Sequence, residues 1–339
     1  MNPMPPARAP ADTVFDPLAL RRAARWRAAE TLFWALPVLA YFAFPDDLAL
    51  LSQIAITALL AISLDLILGF AGIISLGQAA FFGIGAYVAA LLAQHGWGDP
   101  LLGLAAAAAL SALAGWLTSF LVLRGSDLTR LLVTLGIGLM LFVAANQMTT
   151  ITGGLDGLQG LPIGALLGHF SFGLYGRAAY VYSVVVLFAL FWVARRLMHS
   201  PFGLSLRALR LNPQRMPALG VAVHTRLIAI YTLGALYAGV AGALLTQTTQ
   251  FVSVDVFSFT RSAELLLMLV FGGAATLYGA MLGAIVFMLV HSVLSGMNPQ
   301  YWQFWMGLAL IAVVLFARGG LMGGLRALVQ RLRPRGERS

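Results

Sequence analysis

Apolar runs of about twenty residues follow one another along most of this 339-residue chain, and they limit its fold more than any other feature. A helix of roughly 20 such residues crosses about 30 Å of hydrocarbon, where only helices and closed barrels satisfy their own backbone. Hydrophobic residues make up 60% of the chain and charged ones 10%, against roughly 25% charged in a soluble domain. The chain is therefore read as all-α, a polytopic membrane protein with about ten transmembrane helices (8–10). The spans are placed at 31–45, 48–68, 75–93, 101–123, 131–149, 178–195, 226–247, 263–275, 277–295 and 301–317. The short eighth run either crosses or dips in and returns.

A net charge of +9 could mark a nucleic-acid binder, so its distribution has to decide. Every basic residue is arginine, and all but Arg177 and Arg261 fall in four blocks: the N-terminal thirty residues, the loop holding Arg124 and Arg130, the stretch Arg195 to Arg226, and the C-terminal tail. Cytoplasmic loops of membrane proteins carry such an excess, and each expected crossing lands on the matching side if these blocks are cytoplasmic. The charge reads as topology, with the lipid bilayer as partner and no nucleic acid. The expected organisation is a cytoplasmic N-terminal tail at 1–30, a first transmembrane portion at 31–197, a cytoplasmic loop at 198–225, a second transmembrane portion at 226–317 and a cytoplasmic tail at 318–339. Asp46 and Asp47, the 94–100 turn and the 150–177 loop would then face the opposite side, and the first thirty residues lack the apolar core of a secretory signal.

Several absences narrow the chemistry. Without cysteine there are no disulfides and no thiolate sites, and the five histidines, at 95, 169, 199, 224 and 291, show no metal-ligand spacing. A phosphate-cradling Walker loop needs a lysine, which the chain does not have. Neither G-x-S-x-G nor H-E-x-x-H occurs, so an intramembrane enzyme lacks a catalytic constellation. No metal or cofactor is expected in this chain, and any energy from ATP and Mg would be supplied by partner subunits.

The stretch Arg195 to Arg226 is too long for a simple turn. Pro201 and Gly203 open it, SLRALRL has helical character with Arg207 and Arg210 on one face, and Pro213 breaks it again. It is either a solvated loop obeying the positive-inside rule or a set of short surface helices that dock a soluble partner.

Glycine is concentrated in two places. GFAGIISLGQAAFFGIGAYVAA (69–90) holds Gly69, Gly72, Gly77, Gly83 and Gly85; a second broken region holds Gly272, Gly273, Gly279 and Gly283. Lipid provides no hydrophobic drive for helix association, so small residues that let backbones approach closely hold spans together. Gly83 and Gly85, with Ala79, Ala86 and Ala90, predict a smooth contact face on which Gly83→Leu disturbs assembly and Gly83→Ala is tolerated. Gly69 and Gly72 lie between spans and predict a tight, partly embedded turn, and paired interruptions in two halves point to a transport pathway. Polar residues at membrane depth are the remaining candidates. Gln78, Asn146, Glu264 and Asp65 are the proposed lining of a path, each also readable as a helix–helix hydrogen bond or an interfacial position, and Arg261 is spaced to pair with Glu264.

Four motifs resemble the permease subunit of branched-chain amino acid ABC importers, in particular the larger, LivM-type, paralogue. They are SLDLILGFAGIISLGQAAFFGIGAY (63–87), TGGLDGLQGLP (152–162), SPFGLSLRALRLNPQRMPALGV (200–221) and SAELLLMLVFGGAATLYGAMLGA (262–284), and the likeness runs over roughly 48–320. Asp65 places a carboxylate where the family pattern usually has Asn. The resemblance implies a second paralogous permease, two ATP-binding subunits that hydrolyse ATP with Mg, and a periplasmic solute-binding protein. It also implies a bacterial inner-membrane location, both termini cytoplasmic, and a 200–221 loop coupled to the ATPases through Arg207, Arg210, Asn212, Leu219 and Gly220. The solute would be a branched-chain or related amino acid, or a similar small molecule such as an amide, urea or aromatic acid. The rival reading is a secondary transporter driven by an ion gradient, with Asp65 as its ion or proton site.

Overall fold

A polar segment bounded by glycine or proline separates most of the apolar runs, and the helices begin and end at these breaks. The computed structural model describes residues 28–165 and 176–297, together with 301, 304–308, 311 and 320–323. The expected tenth span, 301–317, falls largely outside the described residues, as do most of both terminal tails.

Helix α1, Ala28–Ala43, contains Pro37. Helix α2 is α-helical over Leu48–Leu64 and continues as a π turn over Asp65–Phe70. Helix α3 is Gln78–Gln94, α4 Pro100–Val122 and α5 Asp127–Gln147. Helix α6, Arg177–Met198, leads through Ser200 into the short α7, Pro201–Leu211. Helix α8 is Val223–Thr249, α9 Phe259–Gly272 and α10 Leu277–Met297. Local chemistry sets several starts: Pro100 occupies the first turn of α4, where the Asp99 side chain accepts from Leu101 N (2.9 Å), and Ser258 Oγ accepts from Arg261 N to cap α9.

Among the described residues six helices are long and apolar enough to cross a membrane: α2 with its π turn, α4, α5, α6, α8 and α10. The expected spans at 31–45 and 75–93 appear as the shorter apolar helices α1 and α3. Helix α3 starts at Gln78 rather than 75 because Gly72, at φ +73°, breaks the preceding helix and the chain to Gly77 stays irregular. With 14 residues, α9 covers about 21 Å and is too short to cross about 30 Å of hydrocarbon unaided.

Helix α8 is the hub, packed on α4, α3 and α2; α6 and the α9–α10 pair lie on α2. The hub rests on backbone contact that leaves no room for side chains. A Cβ on Gly85 of α3 would lie 2.5 Å from Gly239 Cα of α8, and one on Gly242 would lie 2.8 Å from Ala86 N. Tyr231 of α8 is buried edge-on against Phe81 of α3, with ring centroids 5.7 Å apart. An ion pair between Glu30 and Arg195 (2.6 Å) and a hydrogen bond from Tyr180 Oη to Pro37 O (2.8 Å) fasten α1 to α6. At one end of the molecule the two-residue strands β1, Leu158–Gln159, and β2, Phe251–Val252, pair antiparallel; α7 lies at the other end.

Candidate functional site

Helices α2, α9 and α10 enclose a cavity of about 630 Å³ near the β-strand end. Gln53 faces it from the outer part of α2, Arg261 and Glu264 from the first turns of α9, and His291, Ser292 and Ser295 from the last turns of α10. Asp255 and Ser258 reach it from the turn before α9, and Met268 and Phe287 form its deeper apolar wall. A narrower space of about 110 Å³ continues inward between Ile56, Leu60, Phe82, Leu245 and Leu265. The size lies within the range of pockets that hold small molecules. Both signs of charge are present: Arg261 Nη2 lies 3.9 Å from Asp255 Oδ2, and Glu264 is one helical turn further along. The sequence spacing led us to expect Arg261 to pair with Glu264; the ion pair that forms is with Asp255, because the turn before α9 brings that carboxylate alongside.

The other end of the same three helices is closed. Helix α9 stops at Gly272, and Gly273 (φ +100°) and Ala275 (φ +65°) turn the chain back into α10. Glycine lets the two helices meet there: a Cβ on Gly272 would lie 3.0 Å from Gly283 N. This hairpin tip rests on the π turn of α2. Asp65 Oδ1 accepts from Ala275 N (2.6 Å), and a Cβ on Gly69 would lie 2.6 Å from that same nitrogen. Helix α7 holds the turn from outside: Arg210 Nη1 donates to the Gly69 carbonyl, its stem runs past Gly72, and the Arg207 guanidinium lies 5.2 Å from the centre of the Phe70 ring. Single π turns of this kind recur at functional positions in helices.

The candidates from the sequence are thus distributed over three environments. Glu264 lines the cavity. Asp65 is 0% exposed and engaged with the hairpin tip. Gln78, 1% exposed, donates through Nε2 to Ser63 Oγ (3.3 Å) between α3 and α2, and Asn146 is half-buried at the far end of α5. Arg207 and Arg210 turn toward the π turn, Asn212 follows the end of α7, and Leu219 (74% exposed) and Gly220 (φ +76°, open space around it) face outward. Gln53, Asp255 and Ser258 are cavity residues that sequence reasoning missed, and His291, which has no metal-ligand spacing in the sequence, lines it too. A signal existed in part, since Gln53, His291 and Ser295 interrupt otherwise apolar runs. Gly234, Gly239 and Gly242 of α8 were also missed; the string GALYAGVAGA carried that signal. Among the described residues no group of three or more His, Asp or Glu side chains is placed to hold a metal ion.

Compared with known proteins, residues 48–314 match the family described as the branched-chain amino acid transport system / permease component. The high-affinity branched-chain amino acid transport system permease protein LivM of Escherichia coli is 31% identical over 303 residues, covering 81% of this chain and 69% of its own length. The permease protein LivH of the same organism is 25% identical over 282 residues, covering 78% and 91%. The fructose import permease protein FrcC of Rhizobium meliloti is 26% identical over 277 residues, covering 78% and 75%. No solved structure matches.

Proposed function

The chain belongs to the permease component family of branched-chain amino acid transport systems, and from that premise we propose that its cavity is the outer part of a path for branched-chain or related amino acids across the bacterial inner membrane. It is a multi-pass permease subunit of an ABC importer. We infer that a second paralogous permease completes the path, that two ATP-binding subunits supply the work with ATP and Mg, and that a periplasmic binding protein delivers the solute. The α7 end and both termini then face the cytoplasm, and the cavity faces the periplasm.

The observation that carries this reading is the polarity of the α2–α9–α10 unit. A charged cavity opens at one end, while the other end is closed by a hairpin tip held by a short helix outside the bundle. Irregular backbone at membrane depth is tolerated where it is buried in protein, as the π turn of α2 and the break after it are. Docking of an ATPase on α7 is supported by Leu211 (86% exposed) and Leu219, apolar side chains that lie on its outer side and in the following turn. The gradient-driven rival is disfavoured by position: Asp65 does not line the cavity, and its Oδ1 accepts from the Ala275 N–H at the opposite end of the three helices.

Reconstitution of the permease pair with its ATPases and binding protein in proteoliposomes tests the reading. Labelled leucine should enter only when ATP and the binding protein are both supplied. Entry driven by a proton or sodium gradient without ATP overturns the proposal.

A further inference from the structure

Asp65, Gly69 and Ala275 are brought together from opposite halves of the chain, and the contact serves neither the cavity nor the hydrophobic core. Ala275 sits at φ +65°, a left-handed conformation uncommon outside glycine, so the tip is held in a backbone state that an alanine does not favour on its own. Its N–H is taken by Asp65 Oδ1, and Gly69 lacks the Cβ that would block the approach. The second carboxylate oxygen, Oδ2, is buried and has no hydrogen-bond partner among the described residues. The carboxylate therefore grips the tip at Ala275 through one oxygen, alongside the backbone packing of Gly272 on Gly279 and Gly283. Four residues along the same π turn, the Gly69 carbonyl accepts from Arg210 of α7. A π turn carries an extra residue relative to an α-helix, and removing or shifting that residue re-registers everything beyond it.

We propose that Asp65 is a positioning residue that latches the hairpin tip at Ala275 onto the π turn, and that α7, pulling on Gly69 through Arg210, releases this latch to open the inner end of the path. The inference rests on the importer reading for the source of the pull. Both sites of the device lie on one turn, so a displacement of α7 reaches the Asp65–Ala275 bond without crossing the rest of the bundle. Two discrete arrangements of a packed element are what coupling between distant sites requires.

The naturally cysteine-free chain allows the double variant Asp65→Cys/Ala275→Cys to be oxidised in the assembled transporter. A disulfide should form in the resting complex and lower ATP-dependent uptake about tenfold below that of the same double variant after dithiothreitol, which itself lacks the Asp65 bond and starts from the level of an unlatched transporter. Asp65→Asn keeps an acceptor oxygen in place and should retain uptake within about twofold, whereas Asp65→Leu should leave ATP hydrolysis running with uptake reduced about tenfold. A purely structural contact predicts loss of assembly and hydrolysis together, and no effect of the disulfide. The latch is overturned if the disulfide fails to form, or if the oxidised complex transports as fast as the same complex after dithiothreitol. It is likewise overturned if Asp65→Leu couples normally. If the unmodified complex shows no ATP-dependent uptake, the importer reading fails and takes the latch with it; ATP-dependent uptake that ignores the disulfide removes the latch alone.

Discussion

Fourteen residues of α9 separate two regions built from different materials. At its start, Arg261 and Glu264 face a cavity of about 630 Å³ with long polar side chains. At its end, Gly272 lies so close to Gly279 and Gly283 that no Cβ fits. Water can occupy the first region, and there side-chain chemistry is available for a solute. In the second, lipid offers helices no hydrophobic reason to associate, so closure depends on backbone contact and on single hydrogen bonds such as Asp65 to Ala275. The chain places them at opposite ends of a single short helix.

The contrast is broken most severely by adding volume at the closed end. Gly272→Leu forces a side chain into backbone atoms that have nowhere to go and should cost about 3 kcal/mol or more, removing folded permease from detergent extracts as judged by size-exclusion chromatography. Gly85→Ala meets the backbone of α8 and should cost about 2–3 kcal/mol, while Gly83→Ala meets the ring of Phe257, which can turn away from its stack on Tyr87, and should cost about 1 kcal/mol. The sequence predicts that Gly83→Ala is tolerated or nearly so; the ring, 2.7 Å from the added Cβ at its Cζ, predicts that the residual loss is measurable. Thermal unfolding of the two variants side by side checks the order, and equal midpoints would show that the α8 backbone yields as readily as a ring.

Gln78→Leu sharpens the comparison at the buried boundary between the two regions. Its amide bonds Ser63 and does not face the cavity, so we expect a cost of about 0.6–2 kcal/mol and a loss of uptake that tracks the loss of assembled complex on the same membranes. Uptake falling while assembly stays intact would move Gln78 into the path. The smallest effect on stability belongs to the open end: Glu264→Gln should change it by less than about 0.5 kcal/mol, because the residue borders a cavity, yet lower uptake per assembled transporter about fivefold. Unchanged uptake in Glu264→Gln would separate the cavity from the path.

The arginines of α7 carry a further lesson about testing. Reversing Arg207 or Arg210 disturbs their contacts with Phe70 and Gly69 as well as any docked ATPase. Leu211→Asp and Leu219→Asp alter the outward surface alone, so co-purification of the ATPases with these variants is the cleaner measure of docking.

Much of the fold was legible because apolar run length and bilayer thickness are matched by physics: α4, α6, α8 and α10 begin and end within a few residues of the expected spans. The break at Gly69 and Gly72, the shortness of the eighth run and the helical character of 201–211 could also be read, since glycine, proline and charge act locally. Glu264 was identified as a path candidate because it is a carboxylate near a span end, and it does face the cavity. Asp65 and Gln78 drew the same attention for the same reason, yet they are turned inward to Ala275 and Ser63.

The sequence by itself determined the class of protein, the positions of most helices and the two glycine-rich interruptions, because transfer into lipid and backbone freedom depend on a residue and its near neighbours. Only the tertiary structure decided that those two interruptions meet, that α8 rather than α3 is the hub, and that a cavity opens between α2, α9 and α10. Asp65 and Ala275 are 210 residues apart, and no local property of either specifies the other. Their meeting follows from how the helices pack, where the absent Cβ at Gly69 leaves room both for the Asp65 carboxylate of its own turn and for Ala275 of the second segment.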